Sequence, residues 1–165
     1  MSTAVSDRIE KQVLLKAPLS RVWQALTNSK EFGTWFGVTF DGPFVAGSPV
    51  WGTVTMTKMD DEVAKHQKPY EGMRFQVFVE RIEPELLFSF RWNPSGADVN
   101  FDAAKDPMTL VTFTLQEMPD GVLLRVIESG FDKVSAERRA KAFTENEQGW
   151  AMQMMLIGKY VEKAS

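Results

Sequence analysis

The sequence contains no cysteine, which excludes disulfide bonds, thiolate metal ligands and cysteine nucleophiles. It has a single histidine, His66, so a histidine-rich zinc site is excluded as well, and we expect no metal. It also lacks an apolar run long enough to span a bilayer and an N-terminal segment resembling a signal peptide. We therefore predict a cytoplasmic protein without a membrane span.

Several functional motifs are missing too. There is no G-x-G-x-x-G or Walker sequence for a nucleotide, and no G-x-S-x-G sequence for a serine hydrolase. The net charge of −3 and the pI near 5.3 do not favour a nucleic-acid partner. We accordingly expect no cofactor and no nucleic acid, and an enzymatic activity is not favoured, although it stays open.

Large apolar side chains are abundant instead. The 165 residues include twelve Phe, five Trp and nine Met, many for this length. Two interpretations stay open at this point. The aromatic and methionine side chains either fill a thick core or line an apolar cavity that holds a ligand.

One long helix is predicted at the C-terminal end of the chain. Residues 135–163 contain no proline and are rich in good helix formers, with Ser135 placed to cap the first turn. At 100° per residue, one narrow apolar stripe emerges. Its members are Phe143, Trp150, Met154, Ile157 and Val161. A helix of this length needs a broad partner to cover that stripe.

The remaining chain predicts that partner as an antiparallel sheet. Alternation and turn signals indicate a strand, two short helices and then six strands. The strands are predicted at 8–16, 38–41, 49–57, 73–83, 86–92, 110–118 and 122–129. One helix is predicted at 18–26, and a second, with Ser29 as its cap, through Phe36; loops are predicted at 59–72 and 93–107. This order indicates an α+β fold in a single domain over 8–163, with a flexible tail at 1–7.

Three local sequences carry a resemblance to a known superfamily. They are V-L-L-K-A-P-L-S-R-V-W at 13–23, E-S-G-F at 128–131, and Gly149-Trp150 preceded by Asn146. With their order, they resemble the helix-grip fold of the START and pollen-allergen (SRPBCC) superfamily. Within it, the chain is similar to the family named after the activator of the heat-shock protein 90 ATPase, especially its small bacterial members. The resemblance implies a seven-stranded antiparallel sheet curved around the C-terminal helix.

The resemblance also implies where a ligand would bind, because in that fold the sheet and the last helix enclose a cavity. Aromatic and polar side chains of these elements are the predicted ligand-binding residues. They are Trp35, Trp51, Phe88, Phe90, Trp92, Phe113, Glu128, Phe131, Asn146, Trp150, Gln153 and Met154. Asn146 and Gln153 flank the helix stripe and would supply the few polar groups that orient an apolar ligand.

Glu128 is the unusual member of this set because it shares its predicted face with Leu124 and Val126. An inward carboxylate is costly unless it is paired. Arg91 and Arg125 are candidate partners for a structural salt link. The alternative is a ligand-contacting or acid–base role, since burial raises the pKa of a carboxyl group.

Three functions are compatible with these features. The leading hypothesis is a protein that binds a small apolar or amphipathic ligand between the sheet and the last helix. A stress-response protein that assists a chaperone is implied by the family resemblance. A cofactor-independent enzyme, such as a cyclase, dehydratase or hydrolase, would use the same cavity. The chain is expected to be a monomer or a homodimer.

Overall fold

A computed structural model describes residues 8–95 and 106–163 of the chain. Its seven strands form one antiparallel sheet in the order β1-β7-β6-β5-β4-β3-β2. The strands are β1 (Arg8–Leu15), β2 (Val38–Phe40), β3 (Pro49–Val54), β4 (Arg74–Glu83), β5 (Leu87–Trp92), β6 (Thr109–Met118) and β7 (Gly121–Ser129). The curved seven-stranded sheet predicted from the sequence is confirmed. The tail predicted at 1–7, and most of the loop predicted at 93–107, lie outside the described residues.

Turn chemistry fixes the hairpin between β6 and β7. Met118 pairs with Gly121 across the turn, and Gly121 has a φ of 150°. A Cβ atom at Gly121 would lie 2.2 Å from the carbonyl oxygen of Leu15, so only glycine fits. The missing side chain of Gly121 leaves room for the end of β1, where Leu15 pairs with Val122 of β7. The first strand of the chain is thereby paired with the last.

Four α-helices accompany the sheet. They are α1 (Leu19–Thr27), α2 (Ser29–Phe36), α3 (Asp61–Gln67) and α4 (Ala136–Lys163), with short 3-10 helices at Lys68–Tyr70 and Phe131–Lys133. The cap of α2 differs from the prediction. Asn28, rather than Ser29, caps the helix, because its side-chain oxygen accepts hydrogen bonds from the backbone N–H groups of Lys30 and Glu31.

The predicted loop at 59–72 is wrong, because it contains α3 and the 3-10 helix that follows. Asp60 caps α3 by accepting hydrogen bonds from the N–H groups of Glu62 and Val63. A carboxylate of Asp60 also pairs with Lys159 of α4 at 2.7 Å. The short polar helix is thus fastened to the long one at its first turn.

The core lies between the sheet and the long helix. Trp150 and Met154 of α4 are 2% and 5% exposed, so the predicted apolar stripe does face inward. Helix α4 packs against β1, α1 and α2. The α2 residue Phe32 joins the sheet aromatics to this core, with ring centroids 6.4 Å from Phe90 and 6.2 Å from Phe113. Over the ranges 8–95 and 106–163, no helix is long and apolar enough to cross a membrane.

Candidate functional site

An open cleft of about 690 Å³ lies where α4 approaches the end of α2, the start of β2, α3 and the end of β5. Apolar and neutral polar side chains form most of its wall. The lining residues are Phe36, Gly37, Val38, Val54, His66, Gln67, Tyr70, Phe75, Trp92, Asn93, Pro94, Ser95, Glu145, Asn146, Gln148, Gly149, Met152 and Gln153. The cleft is large enough for a molecule of drug or metabolite size.

A smaller recess of about 90 Å³ shares five of its six lining residues with the cleft. Three aromatic rings form its wall: Phe36, Trp92 and Trp150. Their centroids lie 6.0 Å apart for Phe36 and Trp92, 6.0 Å for Phe36 and Trp150, and 5.8 Å for the stacked Trp92 and Trp150. The recess is therefore bounded by ring surfaces that pack against one another and cannot easily collapse.

Local structure explains why these side chains converge. Alternation along β5 turns Phe88, Phe90 and Trp92 to the same side of the sheet, and Trp92 is the last residue of that strand. On the facing helix, Gly149 presents no side chain, and a Cβ atom there would have no neighbour within 4 Å. The missing side chain of Gly149 keeps the recess open against the backbone of α4.

Glu128 lies directly behind this wall and is fully buried. Its Oε1 atom accepts hydrogen bonds from Trp150 Nε1 at 2.9 Å and Asn146 Nδ2 at 3.1 Å. Its Oε2 atom accepts from Trp92 Nε1 at 2.9 Å, Thr109 Oγ1 at 2.5 Å and Asn146 Nδ2 at 3.2 Å. One carboxylate thus joins β5, β6, β7 and α4.

Burial raises the pKa of Glu128, while the hydrogen bonds from Thr109, Trp92, Trp150 and Asn146 act in the opposite direction. A buried carboxylate is costly to remove from water. The four donors share its two oxygens, so its hydrogen-bonding capacity is satisfied within the protein. This arrangement positions the two indole rings and the Asn146 amide at the recess.

The salt link predicted for Glu128 is wrong. Arg91 pairs with Glu80 at 2.8 Å, and Arg125 lies 3.3 Å from Glu10. Strand alternation is the reason, because both arginines lie on the opposite face of the sheet from Glu128. Neutral donors therefore take the place of a counter-charge.

Gln153 supplies a polar group to the recess. Its Nε2 atom donates to the carbonyl oxygen of Phe36 at 3.3 Å. Its Oε1 atom is buried and has no hydrogen-bond partner among the described residues. An acceptor in this position is unfavourable unless a donor from water or from a ligand reaches it.

The structure brings together part of the predicted ligand-binding set. Trp92, Asn146, Trp150 and Gln153 line the recess, and Glu128 holds three of them from behind. Other members are packed in the core and do not line the cleft or its recess. They are Trp35, Phe88, Phe90, Phe113, Phe131 and Met154.

Trp51 is placed on the opposite side of the sheet and is 45% exposed, so its predicted inward position is wrong. The guanidinium of Arg74 lies 5.5 Å from its ring centroid. In β3 the buried positions are Val50 and Gly52, and alternation therefore turns Trp51 outward. Gly52 has no room for a side chain, because a Cβ atom there would lie 2.7 Å from Val38 Cγ1.

Sequence analysis did not assign several lining residues to the site. Phe36 follows the predicted Trp35 by one position, and Phe75 lies on β4 on the same side as the buried Val77 and Val79. His66, Gln67 and Tyr70 reach the cleft only because α3 and the 3-10 helix fold over it. The signal for α3 was present as acidic residues at 60–62 followed by Lys65 and His66, a charge order typical of a helix.

The described part of the chain contains no group of three or more histidine, aspartate or glutamate side chains arranged to hold a metal ion. Ring surfaces, amides and the buried Glu128 carboxylate characterise the recess.

Comparisons with known proteins identify relatives of this architecture. The model of the family described as "Activator of Hsp90 ATPase homolog 1-like protein" matches residues 16–162. No curated protein matches the chain in sequence.

Solved structures share the fold at low sequence identity. Protein MLL2253 from Mesorhizobium loti is 21% identical with a TM-score of 0.70, and the match covers 96% of this chain and 98% of that one. Protein Ms6760 from Mycobacterium smegmatis is 15% identical with a TM-score of 0.71, covering 100% and 97%. The Aha1 dimer from Colwellia psychrerythraea is 15% identical with a TM-score of 0.66, covering 94% and 96%.

Proposed function

The chain belongs to the activator of Hsp90 ATPase homolog 1-like family, and on that premise we propose that it binds a small apolar or amphipathic molecule in the cleft beside α4. The observation that carries this proposal is the recess at Gly149, which is walled by Phe36, Trp92 and Trp150. A filled core would have closed that space with a side chain, whereas the helix has none there.

The size and chemistry of the cleft support the same function. Ligand pockets usually measure about 300 to 1,000 Å³ and combine apolar walls with a few polar groups. The cleft has about 690 Å³ and aromatic walls. The amides of Asn146 and Gln153 are its polar groups at the recess. The body of the ligand would lie against the rings, and these amides would orient it.

A thermal-shift screen of hydrophobic metabolites tests the proposal. A ligand that binds only the folded protein raises its melting temperature, and at about 100 times its Kd it adds about 2.7 kcal/mol. We expect at least one such compound, and we expect it to change tryptophan fluorescence because Trp92 and Trp150 line the recess. A broad screen without any stabilising compound would overturn the proposal.

The variant Gly149→Leu ties any hit to the cleft, since the new side chain would occupy the recess. We expect it to remove the stabilisation by ligand. Gly158→Ala is the matched control, because Gly158 lies on the same helix and its Cβ would meet only Leu15 Cδ2, at 3.6 Å. A hit that stabilises Gly149→Leu as strongly as the parent protein would place binding elsewhere.

The two other functions expected from the sequence stay predictions. Support for a chaperone-related role consists of the family description and the resemblance alone. Recovery of no chaperone in a pull-down from lysate would count against it. For an enzyme, Glu128 would have to act while both of its oxygens already accept hydrogen bonds from protein donors. A monomer or a homodimer stays the prediction for the assembly of the chain.

A further inference from the structure

We propose that the cleft selects a cationic ligand, an amine or ammonium group attached to a flat apolar body, and discriminates against carboxylates. This inference rests on the proposed function and specifies the chemical class of its ligand. Three properties of the described lining residues support it: which hydrogen-bonding atoms are already engaged, which formal charges are present, and what the aromatic rings present.

Most of the side-chain donors of the recess are already engaged by the protein. Trp92 Nε1 and Trp150 Nε1 both donate to Glu128. Asn146 Nδ2 donates to Glu128 and to the carbonyl oxygen of Pro94 at 2.9 Å. Gln153 Nε2 donates one of its two N–H groups to the carbonyl oxygen of Phe36. A bound carboxylate needs several donors to replace its water, and beyond the second N–H of Gln153 it would have to break one of these hydrogen bonds.

Acceptors, in contrast, are left over. Gln153 Oε1 is buried without a partner among the described residues, at the wall of the recess. An ammonium group has only donors, so it satisfies such an oxygen instead of competing with it. The hydrogen-bonding pattern of the recess therefore matches a donor ligand.

The formal charges of the site have one sign. Glu145 is the one lining residue among those described that carries a formal charge with histidine neutral, and no lysine or arginine is among them. A second carboxylate, Glu128, lies one side-chain layer behind the recess and contacts it through Trp92, Asn146 and Trp150. A cation in the cleft is attracted by Glu145, while an anion meets no opposite charge there.

The aromatic rings add a third contribution of the same sign. Phe36, Trp92 and Trp150 wall the recess, and the face of an aromatic ring carries negative potential. A cation within about 6 Å of a ring centroid gains from that potential, with Trp the most effective ring. A flat apolar body attached to the cation would extend from the recess along Phe75 and Met152 of the larger cleft.

Three matched probes test the inference by isothermal titration at low salt. Naphthylmethylammonium carries the cation, ethylnaphthalene replaces it by a methyl group of similar shape, and naphthylacetate carries the opposite charge. We expect the cation to bind about tenfold more tightly than the neutral probe, and the anion more weakly than both. Equal affinities, or tighter binding of naphthylacetate, would overturn the inference.

Variants locate the source of the preference. Glu145→Gln should lower the affinity for the cation about threefold and leave ethylnaphthalene unchanged. Glu147→Gln removes the same charge two residues along α4, on a different face that is turned toward Lys11 of β1 and away from the lining residues, and should change neither affinity. Phe36→Leu keeps an apolar wall but removes a ring, so it should reduce the ratio between the two probes. Gln153→Met should reduce that ratio as well, because it removes the unpartnered acceptor.

Failure of this inference and failure of the proposed function give different results. If the probes bind, lose their binding in Gly149→Leu and show no preference for the cation, the cleft binds ligands but does not select charge. If none of the three probes binds, the inference about charge is wrong, and the wider thermal-shift screen decides the proposed function by itself.

Discussion

At the scale of the single residue, Glu128 carries the most specific stabilising role in the molecule. Its two oxygens accept hydrogen bonds from Trp92, Thr109, Asn146 and Trp150. The donors lie on three elements, β5, β6 and α4, so removing the acceptor affects all three at once. Because the donors of the indoles are directed at this carboxylate, Glu128 also determines which way the ring faces of the recess point.

We predict that Glu128→Gln lowers the free energy of unfolding by about 2 kcal/mol. The amide replaces one acceptor with an NH₂ group that faces existing donors, so at least one buried N–H or O–H loses its partner. Urea unfolding followed by tryptophan fluorescence measures the loss. Glu117→Gln, on the exposed end of β6, is the control and should stay close to the parent protein. Equal stability of the parent and the Glu128 variant would show that the four hydrogen bonds contribute nothing net.

Burial of Glu128 also makes the stability difference between the parent protein and Glu128→Gln depend on pH. The pKa of Glu128 is raised in the folded protein above its ordinary value of 4.5. A raised carboxyl pKa contributes stability that is fully present below the unfolded value and is lost as the pH rises through the folded value. We therefore expect the stability difference between the parent and Glu128→Gln to shrink as the pH rises above the ordinary carboxyl value of 4.5. A difference that grows with pH would contradict a raised pKa.

Individual site residues could be predicted from the sequence only where their element and its facing side were both clear. The resemblance implied a cavity between sheet and helix, and strand alternation and helix periodicity turned Trp92, Asn146, Trp150 and Gln153 toward it; all four line the recess. Trp51 was misplaced, because the inward face of β3 is occupied by the small Gly52 instead of an aromatic ring. Hydrophobicity alone favours the wrong face at that position, and the close approach of Val38 decides it.

At the scale of the secondary element, helix stability and an open recess make opposite demands on Gly149 of α4. Glycine in a helix costs about 1 kcal/mol relative to alanine. Nothing lies within 4 Å of a Cβ atom at this position, so packing does not require the glycine. The cost is explained if the open recess is needed, which is the expectation of the proposed function.

We predict that Gly149→Ala and Gly158→Ala each stabilise the protein by about 0.5 to 1 kcal/mol in urea unfolding, since both place alanine in an unstrained helical position. The two variants should differ in binding. Gly149→Ala narrows the recess and should weaken ligands found in the screen, while Gly158→Ala should leave their affinity unchanged. Destabilisation by Gly149→Ala would reveal a packing role for this glycine that the open space does not indicate.

Helix α3 shows why an element can be missed from sequence. Only Val63 of its seven residues is buried, so it has almost no apolar periodicity. Tertiary contacts hold it instead. Gln67 Oε1 accepts from the N–H of Thr57 at 2.7 Å, and its Nε2 donates to the carbonyl oxygen of Phe36 at 3.1 Å. These hydrogen bonds join Gln67 to residues outside α3, and no local sequence pattern predicts them.

At the scale of the whole molecule, the sheet and the long helix were predictable because their patterns are long and regular. Alternation marks strands β4 to β7, and tight hairpin turns join β4 to β5 and β6 to β7 as neighbours. The pairing of β1 with β7 is different, since it joins residues more than 100 positions apart, such as Arg8 with Ser129. Its prediction came from the resemblance, and no turn or spacing in the sequence specifies it.

The central strands are well packed and α3 is weakly packed, and this difference predicts which part of the molecule opens first. Amides of β6 and β7 lie in the interior of the sheet, with partners on both sides. Helix α3 is held by Val63, by Gln67 and by the exposed Asp60–Lys159 ion pair. We predict that hydrogen exchange of α3 proceeds by local opening, much faster than exchange of β6 and β7, which requires global unfolding.

Ligand binding should change this exchange pattern selectively. His66 and Gln67 of α3 and Tyr70 of the following 3-10 helix line the cleft, so an occupant would add contacts to the least stable part of the fold. We expect a saturating ligand to slow exchange at 61–70 by a larger factor than at the exposed hairpin turn of β4 and β5, measured by mass spectrometry. Gly149→Leu should remove the effect. If a bound ligand protected all elements equally, α3 would have no special part in covering the cleft, and its bonds through Gln67 would serve the fold alone.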